Sequence, residues 1–374
     1  MPLRPGPDPK IPCLDLGRQH EALRGEIFEA FERVYARTAF SAGPFVEEFE
    51  SAFAAYVEAP HAVGVANGTV ALHLAMLALG IGEGDEVLVP ANTFIATAWG
   101  VSHAGATPVF VDCDPHTWEI DPNALEAKLS ARTRAVIGVH LYGQPFDFDA
   151  VAGICDRHGL ALVEDAAQAQ GARYRGRRVG GLGAIACFSF YPGKNLGACG
   201  EAGAITTRDE SLAARLRSLR NHGSTVRYHH DEIGFNHRMG GLEGASLSVK
   251  LRHLDRWNAR RRDVARRYRE GMRNSRVRLQ AEPDFAESVH HLFVVTVDDR
   301  DSFVKHLDDA GIIAAFHYPI PCHLQKAYAF LGHRPGDLPN AEAQARSCVS
   351  LPMFPELLDQ EIDRVIDAVN AFPG

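Results

Sequence analysis

Short apolar runs alternate with helix-type segments between residues 68 and 219, and this alternation constrains the fold more than any other feature. The runs are apolar throughout rather than at every second position, which is typical of strands covered on both faces. The predicted buried strands are 86–89, 108–111, 135–139 and 160–163. Buried strands joined by helices predict an α/β fold with a mostly parallel, doubly wound sheet.

Local signals place helices between these strands. Segment 69–79 has its apolar residues at helical spacing and ends at Gly80, a residue that favours a helix end. Segment 122–129 follows Asp121, a good N-cap, and carries proline in its first turn. These signals support the alternation of strands and helices that the apolar runs predict.

Polar residues follow several of the strand-like runs. Asp112, Asp165 and Lys194 each come directly after such a run or at its end. Ligands of doubly wound sheets bind beyond the carboxyl ends of the strands. We therefore expect these three residues to meet in one crevice.

The second part of the chain has a different pattern. Residues 242–273 read as one long helix that is rich in arginine, with apolar residues on one face and carboxylates at helical spacing on the other. A basic stripe can bind nucleic acid, but a solvated helix between two domains suits this acidic chain better. A strand at 292–297 and helices at 302–310 and 360–372 then indicate a smaller α/β domain.

These patterns predict two domains, as the length of 374 residues also favours. We expect an N-terminal segment at 1–20, a large α/β domain at 21–250, and a linking helix with a small C-terminal α/β domain at 251–374.

Charge and cysteine content limit the possible partners and compartments. A formal net charge of -8 gives no reason to expect nucleic acid, so a small metabolite is the expected partner. The 7 cysteines include no CxxC pair, which favours reduced thiols in a cytoplasmic protein, and Cys113, Cys155 and Cys187 fall in or beside apolar runs. The N-terminus resembles no signal peptide and no apolar stretch is long enough for a bilayer, so neither export nor membrane insertion is expected.

Lys194 and Asp165 together suggest a specific chemistry. Lys194 lies in a turn after an apolar run, where burial can remove its proton and let it form a Schiff base with an aldehyde cofactor. A carboxylate such as Asp165 can hold the ring nitrogen of that cofactor protonated. The pair suggests a pyridoxal phosphate enzyme.

Competing motifs do not fit the sequence. Lys194 is followed by asparagine rather than serine or threonine, so segment 188–195 is not a P-loop, and 180–183 lacks the dinucleotide fingerprint. Neither HExxH nor GxSxG occurs. The pairs at 229–230 and 290–291 are adjacent histidines that point in different directions, so solvated or capping roles are expected and no metal site is predicted.

Six segments in register resemble one family, the DegT/DnrJ/EryC1/StrS sugar aminotransferases, over about residues 11–369. They are 67–72 (NGTVAL), 84–97 (GDEV through NTFIAT), 164–168 (EDAAQ), 188–197 (FSFYPGKNLG), 234–238 (GFNHR) and 317–321 (HYPIP). The resemblance implies the PLP-dependent transferase type I fold, which is that of aspartate aminotransferase. Three segments, 199, 201–203 and 242–244, depart from the family's common pattern and bear on loop geometry and sugar specificity.

The resemblance also implies roles for residues around pyridoxal 5'-phosphate. Lys194 would carry the cofactor, which passes through a pyridoxamine 5'-phosphate form, while Asp165 would pair with the ring nitrogen and Gln168 would contact the ring's hydroxyl side. The residues implied at the phosphate and the ring face are Gly68, Thr69, Ser189 and Phe94. Taken alone, Asp165 could cap a following helix, Gly68 and Thr69 could be a plain helix start, and Phe94 could be a core residue.

For the substrates and the assembly, the resemblance implies a homodimer with shared active sites. Asn236 would reach the cofactor phosphate of the neighbouring subunit, although alone it reads as a turn residue. Arg238, His317 and Tyr318 would contact phosphate groups of the substrate, with surface roles as the alternative.

The implied reaction is the transfer of an amino group from L-glutamate to a keto sugar nucleotide. Segment 317–321 resembles members that act at C3 of 3-keto sugars more than those that act at C4. The implied acceptor is a 3-keto-deoxyhexose linked to dTDP, GDP or UDP, with C4 amination as the alternative. Lys194 argues against the family's dehydratases, which resemble this chain with histidine at that position. A cyclitol aminotransferase that uses glutamine and a non-catalytic cofactor-binding regulator stay open as alternatives.

Overall fold

The computed structural model describes residues 10–373. The α-helices are α1 (Leu16–Ala36), α2 (Pro44–Tyr56), α3 (Gly68–Ala78), α4 (Ala96–His103), α5 (Pro122–Leu125), α6 (Phe148–His158), α7 (Glu210–Leu219), α8 (Gly241–Leu251), α9 (Leu254–Gly271), α10 (Arg300–Asp309), α11 (Pro339–Ser347) and α12 (Asp359–Ala371). The strands are β1 (His61–Val65), β2 (Glu86–Pro90), β3 (Thr107–Val111), β4 (Thr133–Val139), β5 (Ala161–Asp165), β6 (Arg173–Tyr174), β7 (Arg177–Arg178), β8 (Ile185–Ser189), β9 (Gly203–Thr207), β10 (Arg278–Leu279), β11 (Ala286–Glu287), β12 (Phe293–Thr296) and β13 (Cys348–Leu351).

A seven-stranded sheet with the order β1-β9-β8-β5-β4-β2-β3 forms the centre of the molecule. Pairing is parallel from β3 through β8, and β9 runs antiparallel to both of its neighbours, β1 and β8. The four strands predicted from the apolar runs correspond to β2, β3, β4 and β5. The expected α/β class with a mostly parallel sheet is therefore confirmed.

Successive residues of β2 show why the runs are apolar throughout. Val87 and Val89 pack in one core with Leu72 of α3, whereas Leu88 packs on the opposite face with Val151 of α6. Helices thus cover both faces of the sheet, and each strand residue loses its contact with water on one side or the other. This leaves the carboxyl edge of the parallel strands as the open side.

A second, smaller sheet has the order β10-β12-β13 and is antiparallel. It shares a core with α9, α10 and α12 that includes Tyr268, Phe303 and Val365. A third sheet of short strands has the order β11-β6-β7. Helix α1 runs across the expected boundary between residues 20 and 21, and the division into domains stays a prediction.

The single long helix predicted over 242–273 is wrong. Its place is taken by α8 and α9, which are separated at Arg252 and His253, where the backbone N–H groups donate to carbonyls three residues back. The break allows α8 to pack against α1 and α2 while α9 extends to the core of the small sheet. Packing therefore overrides a continuous helical pattern.

The arginines of α9 are mostly paired rather than presented as a free basic stripe. Arg266 pairs with Asp263 and Glu270, and Arg267 pairs with Asp359. Arg261 is 2% exposed and donates to the carbonyl of Met353 at 2.9 Å, so the expectation of a solvated helix does not hold at this position. The helix is a packed element with a charged outer face.

Cysteine burial agrees with the sequence. Cys113, Cys155 and Cys187 are buried, and each is a free thiol. None of the helices within residues 10–373 has the length and apolar character needed to cross a bilayer.

Candidate active site

A cleft of about 1050 Å³ opens at the carboxyl edge of the large sheet. The last residues of three parallel strands line it: Val139 of β4, Asp165 of β5 and Ser189 of β8. Lys194 also lines the cleft, so Asp165 and Lys194 meet as expected. Asp112 does not: its carboxylate accepts the backbone N–H of Ala341 at 2.8 Å in the first turn of α11, which corrects that part of the prediction.

Lys194 lies in a loop that several hydrogen bonds hold in place. Its backbone N–H donates to the carbonyl of Tyr191 at 2.8 Å, and the next side chain, Asn195, donates to Asn258 at 2.9 Å and to the carbonyl of Val289 at 3.0 Å. The buried Lys250 donates to the carbonyl of Gly197 at 2.8 Å. These bonds fix the backbone on both sides of Lys194 while its side chain faces the cleft.

Burial lowers the pKa of Lys194 to about 8 from its ordinary value of 10.5, although the negative charge of Asp165 acts in the opposite direction. The cause is desolvation, since the ammonium form loses its hydration in the cleft wall. The free amine, which is the nucleophilic form, is therefore far more populated at neutral pH than for an exposed lysine.

Asp165 ends β5 and is 4% exposed. One carboxylate oxygen accepts the hydroxyl of Thr97 at 2.7 Å, and the other accepts the backbone N–H of Ala167 at 3.1 Å. Burial raises the pKa of Asp165 despite these bonds. No helix begins after Asp165, so the alternative of a helix cap does not hold.

Gln168 is oriented by two hydrogen bonds. Its Oε1 accepts the backbone N–H of Tyr142 at 2.6 Å, and its Nε2 donates to the hydroxyl of Tyr318 at 3.0 Å. The ring of Tyr318 lies 5.4 Å from that of Phe94. Phe94 is 49% exposed and lines the cleft, so it is not a core residue.

The N-terminus of α3 forms another wall. Gly68 is its first residue and Asn67 is its N-cap, accepting the N–H of Val70 at 2.9 Å. A Cβ on Gly68 would lie 2.7 Å from the Cβ of Ser189, so only glycine allows the helix to approach β8 this closely. Free N–H groups of a first helical turn, here those around Gly68 and Thr69, favour an anion.

Replacing Gly68 by alanine is expected to lower the free energy of unfolding by about 1–3 kcal/mol, because overpacking forces backbone to shift. The matched control is Gly25→Ala in the exposed face of α1, where a Cβ meets nothing within 4 Å. That change should stabilise by about 0.5–1 kcal/mol. Thermal unfolding of both variants measures the difference, and equal melting temperatures would contradict the close contact.

The four remaining residues that the resemblance implies at the site do not all line the cleft. His317 and Tyr318 line the cleft, whereas Asn236 and Arg238 are not among its lining residues. Arg238 donates to Asn221 at 2.8 Å, and Asn236 is exposed. His237, between them, does line the cleft.

Histidines form much of the cleft wall, and sequence reasoning missed most of them. The ring of His73 lies 5.8 Å from that of His103 and 6.5 Å from that of His237. His291 and His317 lie near Lys194, and burial lowers the pKa of both, that of His317 to about 4. The expected solvated or capping role is therefore wrong for His291, whose Nδ1 lies 3.2 Å from Asn195 Oδ1.

In the part of the chain that the structure describes, no three His, Cys, Asp or Glu side chains are grouped as metal ligands. The cleft residues within that part include no arginine either. Near Lys194, burial lowers the pKa of His291 and His317 and so favours their neutral imidazole forms.

The cleft residues fit pyridoxal phosphate. The buried carboxylate of Asp165 is bonded to two neutral donors, the Thr97 hydroxyl and the Ala167 N–H, which leaves it able to pair with a protonated ring nitrogen. Gly68 and Ser189 form a close cradle at a helix N-terminus, which suits a phosphate. Lys194 supplies an amine whose pKa is already lowered.

Comparison with known proteins decides the family. The model of the DegT/DnrJ/EryC1/StrS aminotransferase family matches residues 21–370. The chain belongs to this family. The resemblance and the aminotransferase class expected from the sequence are confirmed by this match.

Members of the DegT/DnrJ/EryC1/StrS family match nearly the whole chain. The dTDP-3-amino-3,4,6-trideoxy-alpha-D-glucose transaminase of Streptomyces venezuelae is 48% identical, with 97% of this chain and 96% of that protein covered. The erythromycin biosynthesis sensory transduction protein EryC1 of Saccharopolyspora erythraea is also 48% identical, over 96% of this chain and 99% of that protein.

A solved structure of the family has the same fold. The crystal structure of S. venezuelae DesV in complex with a ketimine intermediate superposes with a TM-score of 0.95 at 48% identity, covering 97% of this chain and 98% of that chain. The expected type I transferase fold is confirmed by this superposition.

Proposed function

We propose that this chain is a pyridoxal phosphate-dependent aminotransferase that moves an amino group from L-glutamate to a keto sugar nucleotide. The observation that carries the proposal is that Lys194, with its lowered pKa, and the buried Asp165 line one cleft. Bound pyridoxal phosphate would supply an electron sink for the pair of electrons left when a carbon loses its proton.

Lys194 acts as the general base and acid. Its Nζ removes the proton from the α-carbon of the amino donor and, in the second half of the reaction, returns a proton to the carbon that receives the amine. A lysine pKa of about 8 suits both directions, because each protonation state is populated near neutral pH.

The other cleft residues would hold and orient the cofactor. Asp165 would keep the ring nitrogen protonated, and Gln168 would lie at the ring's hydroxyl side. Phe94 would cover a ring face, as its exposed position in the cleft supports. Gly68, Thr69 and Ser189 would hold the phosphate.

The proposed acceptor is a 3-keto-deoxyhexose linked to dTDP, GDP or UDP. The S. venezuelae relative that is named for a dTDP-3-amino sugar supports this class. His317 and Tyr318 lie in the cleft, where they can contact the sugar. Arg238 would reach phosphate groups of the nucleotide only if its bond to Asn221 opens or a second subunit places it there.

We also propose a homodimer in the cytoplasm. Asn236 is exposed and lies outside the cleft residues of its own chain, which is compatible with contact to the cofactor phosphate of a second subunit. The analytical ultracentrifugation of the holoprotein tests the oligomeric state, and a monomer with full activity would contradict the shared site.

The absorption spectrum of the protein with pyridoxal phosphate, recorded before and after L-glutamate, tests the function. Loss of the visible band together with an equal amount of 2-oxoglutarate is expected, and a panel of keto sugar nucleotides then identifies the acceptor. A band that L-glutamate leaves unchanged, but that glutamine removes and an inosose then restores, would favour the cyclitol aminotransferase.

A regulator is the second candidate, because one relative is named a sensory transduction protein. A visible band that no amino donor changes would favour this reading.

The lowered pKa of Lys194 predicts how cofactor capture depends on pH. Only the free amine attacks the aldehyde, so the rate at which apoprotein captures pyridoxal phosphate should rise with pH and reach half its maximum near pH 8. An ordinary lysine amine would give a midpoint near pH 10.5. Stopped-flow absorbance measures the profile, with Lys194→Ala as the control that should capture none, and a midpoint above pH 10 would contradict the burial effect.

A further inference from the structure

A chain of two buried hydroxyls ends on Asp165. Thr93 Oγ1 lies 2.8 Å from Thr97 Oγ1, which in turn lies 2.7 Å from Asp165 Oδ2. Thr93 is 3% exposed and Thr97 is 0% exposed. Thr97 lies in the first turn of α4, whereas Thr93 precedes that helix, and the hydroxyl of Thr97 lies between that of Thr93 and the carboxylate.

The chemistry of the end group sets the direction of the chain. An ionised carboxylate only accepts hydrogen bonds, so the hydroxyl of Thr97 donates to Asp165. That hydroxyl has one proton, and Thr93 must then donate to Thr97. Each donor strengthens the next, because hydrogen bonds in series polarise one another.

Few other groups stabilise the negative charge of Asp165. The backbone N–H of Ala167 is its second donor. The titratable groups that face it at longer range are Lys194, His140, Cys187, Glu164 and Tyr318. Burial raises the pKa of Asp165, and the bond from Thr97 is the largest of the effects that lower it.

We propose that Thr97 is a positioning residue that keeps Asp165 ionised and aims its carboxylate at the cofactor's ring nitrogen. This inference rests on the proposed function: Thr97 is the residue on which the role of Asp165 in that function depends. Thr97 lies in the wall of the cleft and acts in this role through Asp165, because its hydroxyl donates to that carboxylate.

The effect follows from competition for one proton. Asp165 and the ring nitrogen share a proton, and a more basic carboxylate holds it more strongly. Without the Thr97 hydroxyl, Asp165 becomes more basic, and the ring nitrogen loses part of its positive charge. With a less positive ring beside it, the nitrogen of Lys194 would stay protonated more easily, and the bound cofactor would supply a weaker electron sink for the reacting carbon.

The test compares Thr97→Val, which is isosteric and removes only the hydroxyl, with Thr97→Ser, which keeps it. The matched control is Thr207→Val, which removes a buried hydroxyl that donates to the carbonyl of Ala184 at 2.8 Å at the opposite end of the sheet. The measurements are the dissociation constant for pyridoxal phosphate, the pH midpoint of the visible absorption band, and the rate of the half-reaction with L-glutamate.

For Thr97→Val we expect about tenfold weaker cofactor binding and a glutamate half-reaction slowed by about 10-fold to 100-fold, as for the loss of a hydrogen bond to a charged group. The pH midpoint should move upward. Thr97→Ser should restore all three values to near those of wild type, and Thr207→Val should leave them unchanged.

Thr97→Val and Thr207→Val proteins with the same cofactor affinity, pH midpoint and glutamate rate would overturn the inference. A Thr97→Ser protein that is as impaired as Thr97→Val would also overturn it, because packing of the methyl group would then be the cause. In both cases a wild-type protein that reacts with L-glutamate leaves the proposed function standing. A wild type that forms no visible band with pyridoxal phosphate would overturn both together.

Discussion

Replacing Lys194 by alanine should reduce the glutamate half-reaction by about 10⁴-fold or more, because one change removes both the covalent anchor and the general base. The fold should persist. Lys194 is held through its backbone N–H to Tyr191, and this bond survives the substitution. The measurement is 2-oxoglutarate formed per active site, with folding checked by circular dichroism.

The control is Lys305→Ala on the exposed face of α10, where the amine only pairs with Asp309. Its activity should equal that of wild type. Retained transamination in the Lys194 variant would refute the proposed role.

Lys194→Ala should also change stability in a pH-dependent way. The pKa of Lys194 is about 8 in the folded chain, below its ordinary 10.5, so the unfolded chain holds this proton more tightly. Wild-type apoprotein therefore gains stability from this group as pH rises from about 8 to 10.5 and lacks that stability below pH 8. The Lys194→Ala apoprotein should be at least as stable as wild-type apoprotein at pH 7. Its melting temperature should not show the rise between about pH 8 and 10.5 that is expected for wild type. A variant that melts well below wild type at pH 7 would contradict the sign.

Replacing Asp165 by asparagine should slow the half-reaction by about 10²-fold to 10³-fold, as expected when one partner of a buried charge pair is removed. The amide has the same shape and can still accept from Thr97, so the site keeps its geometry. It cannot hold a proton on the ring nitrogen. Pyridoxal phosphate affinity and the rate with L-glutamate measure the loss.

Asp121→Asn is the matched control, because Asp121 caps α5 through the N–H of Asn123 at 2.9 Å and asparagine caps equally well. This variant should behave as wild type. An Asp165→Asn protein with unchanged affinity and rate would show that the ring nitrogen needs no carboxylate here.

Local sequence signals were sufficient where the structure depends on near neighbours. Asp121 and Gly80 mark helix ends as predicted, and the apolar runs became β2 through β5. The break between α8 and α9 was not predicted, because residues 249–253 carry an uninterrupted helical pattern. The chain turns there because α8 and α9 have different packing partners.

The sequence predicted only those residues of the site that lie in recognisable motifs. Lys194 and Asp165 could be paired from the sequence, and the cleft holds both. Thr97 lies inside a motif that resembles the family, yet its bond to Asp165 joins residues 68 positions apart. Asp112 directly follows β3 much as Asp165 ends β5, but the Asp112 carboxylate caps α11.

The amino-acid sequence by itself determined the alternation of strands and helices, the edge where a ligand can bind, and the lysine and carboxylate of a cofactor site, because these depend on residues close together in the chain. The tertiary structure alone decided which polar groups surround them: Thr97 on Asp165, Tyr318 on Gln168, and His291 beside Lys194. The physical reason is that burial and hydrogen bonding, which set the pKa of Lys194 and of Asp165, come from segments that meet only in the folded chain.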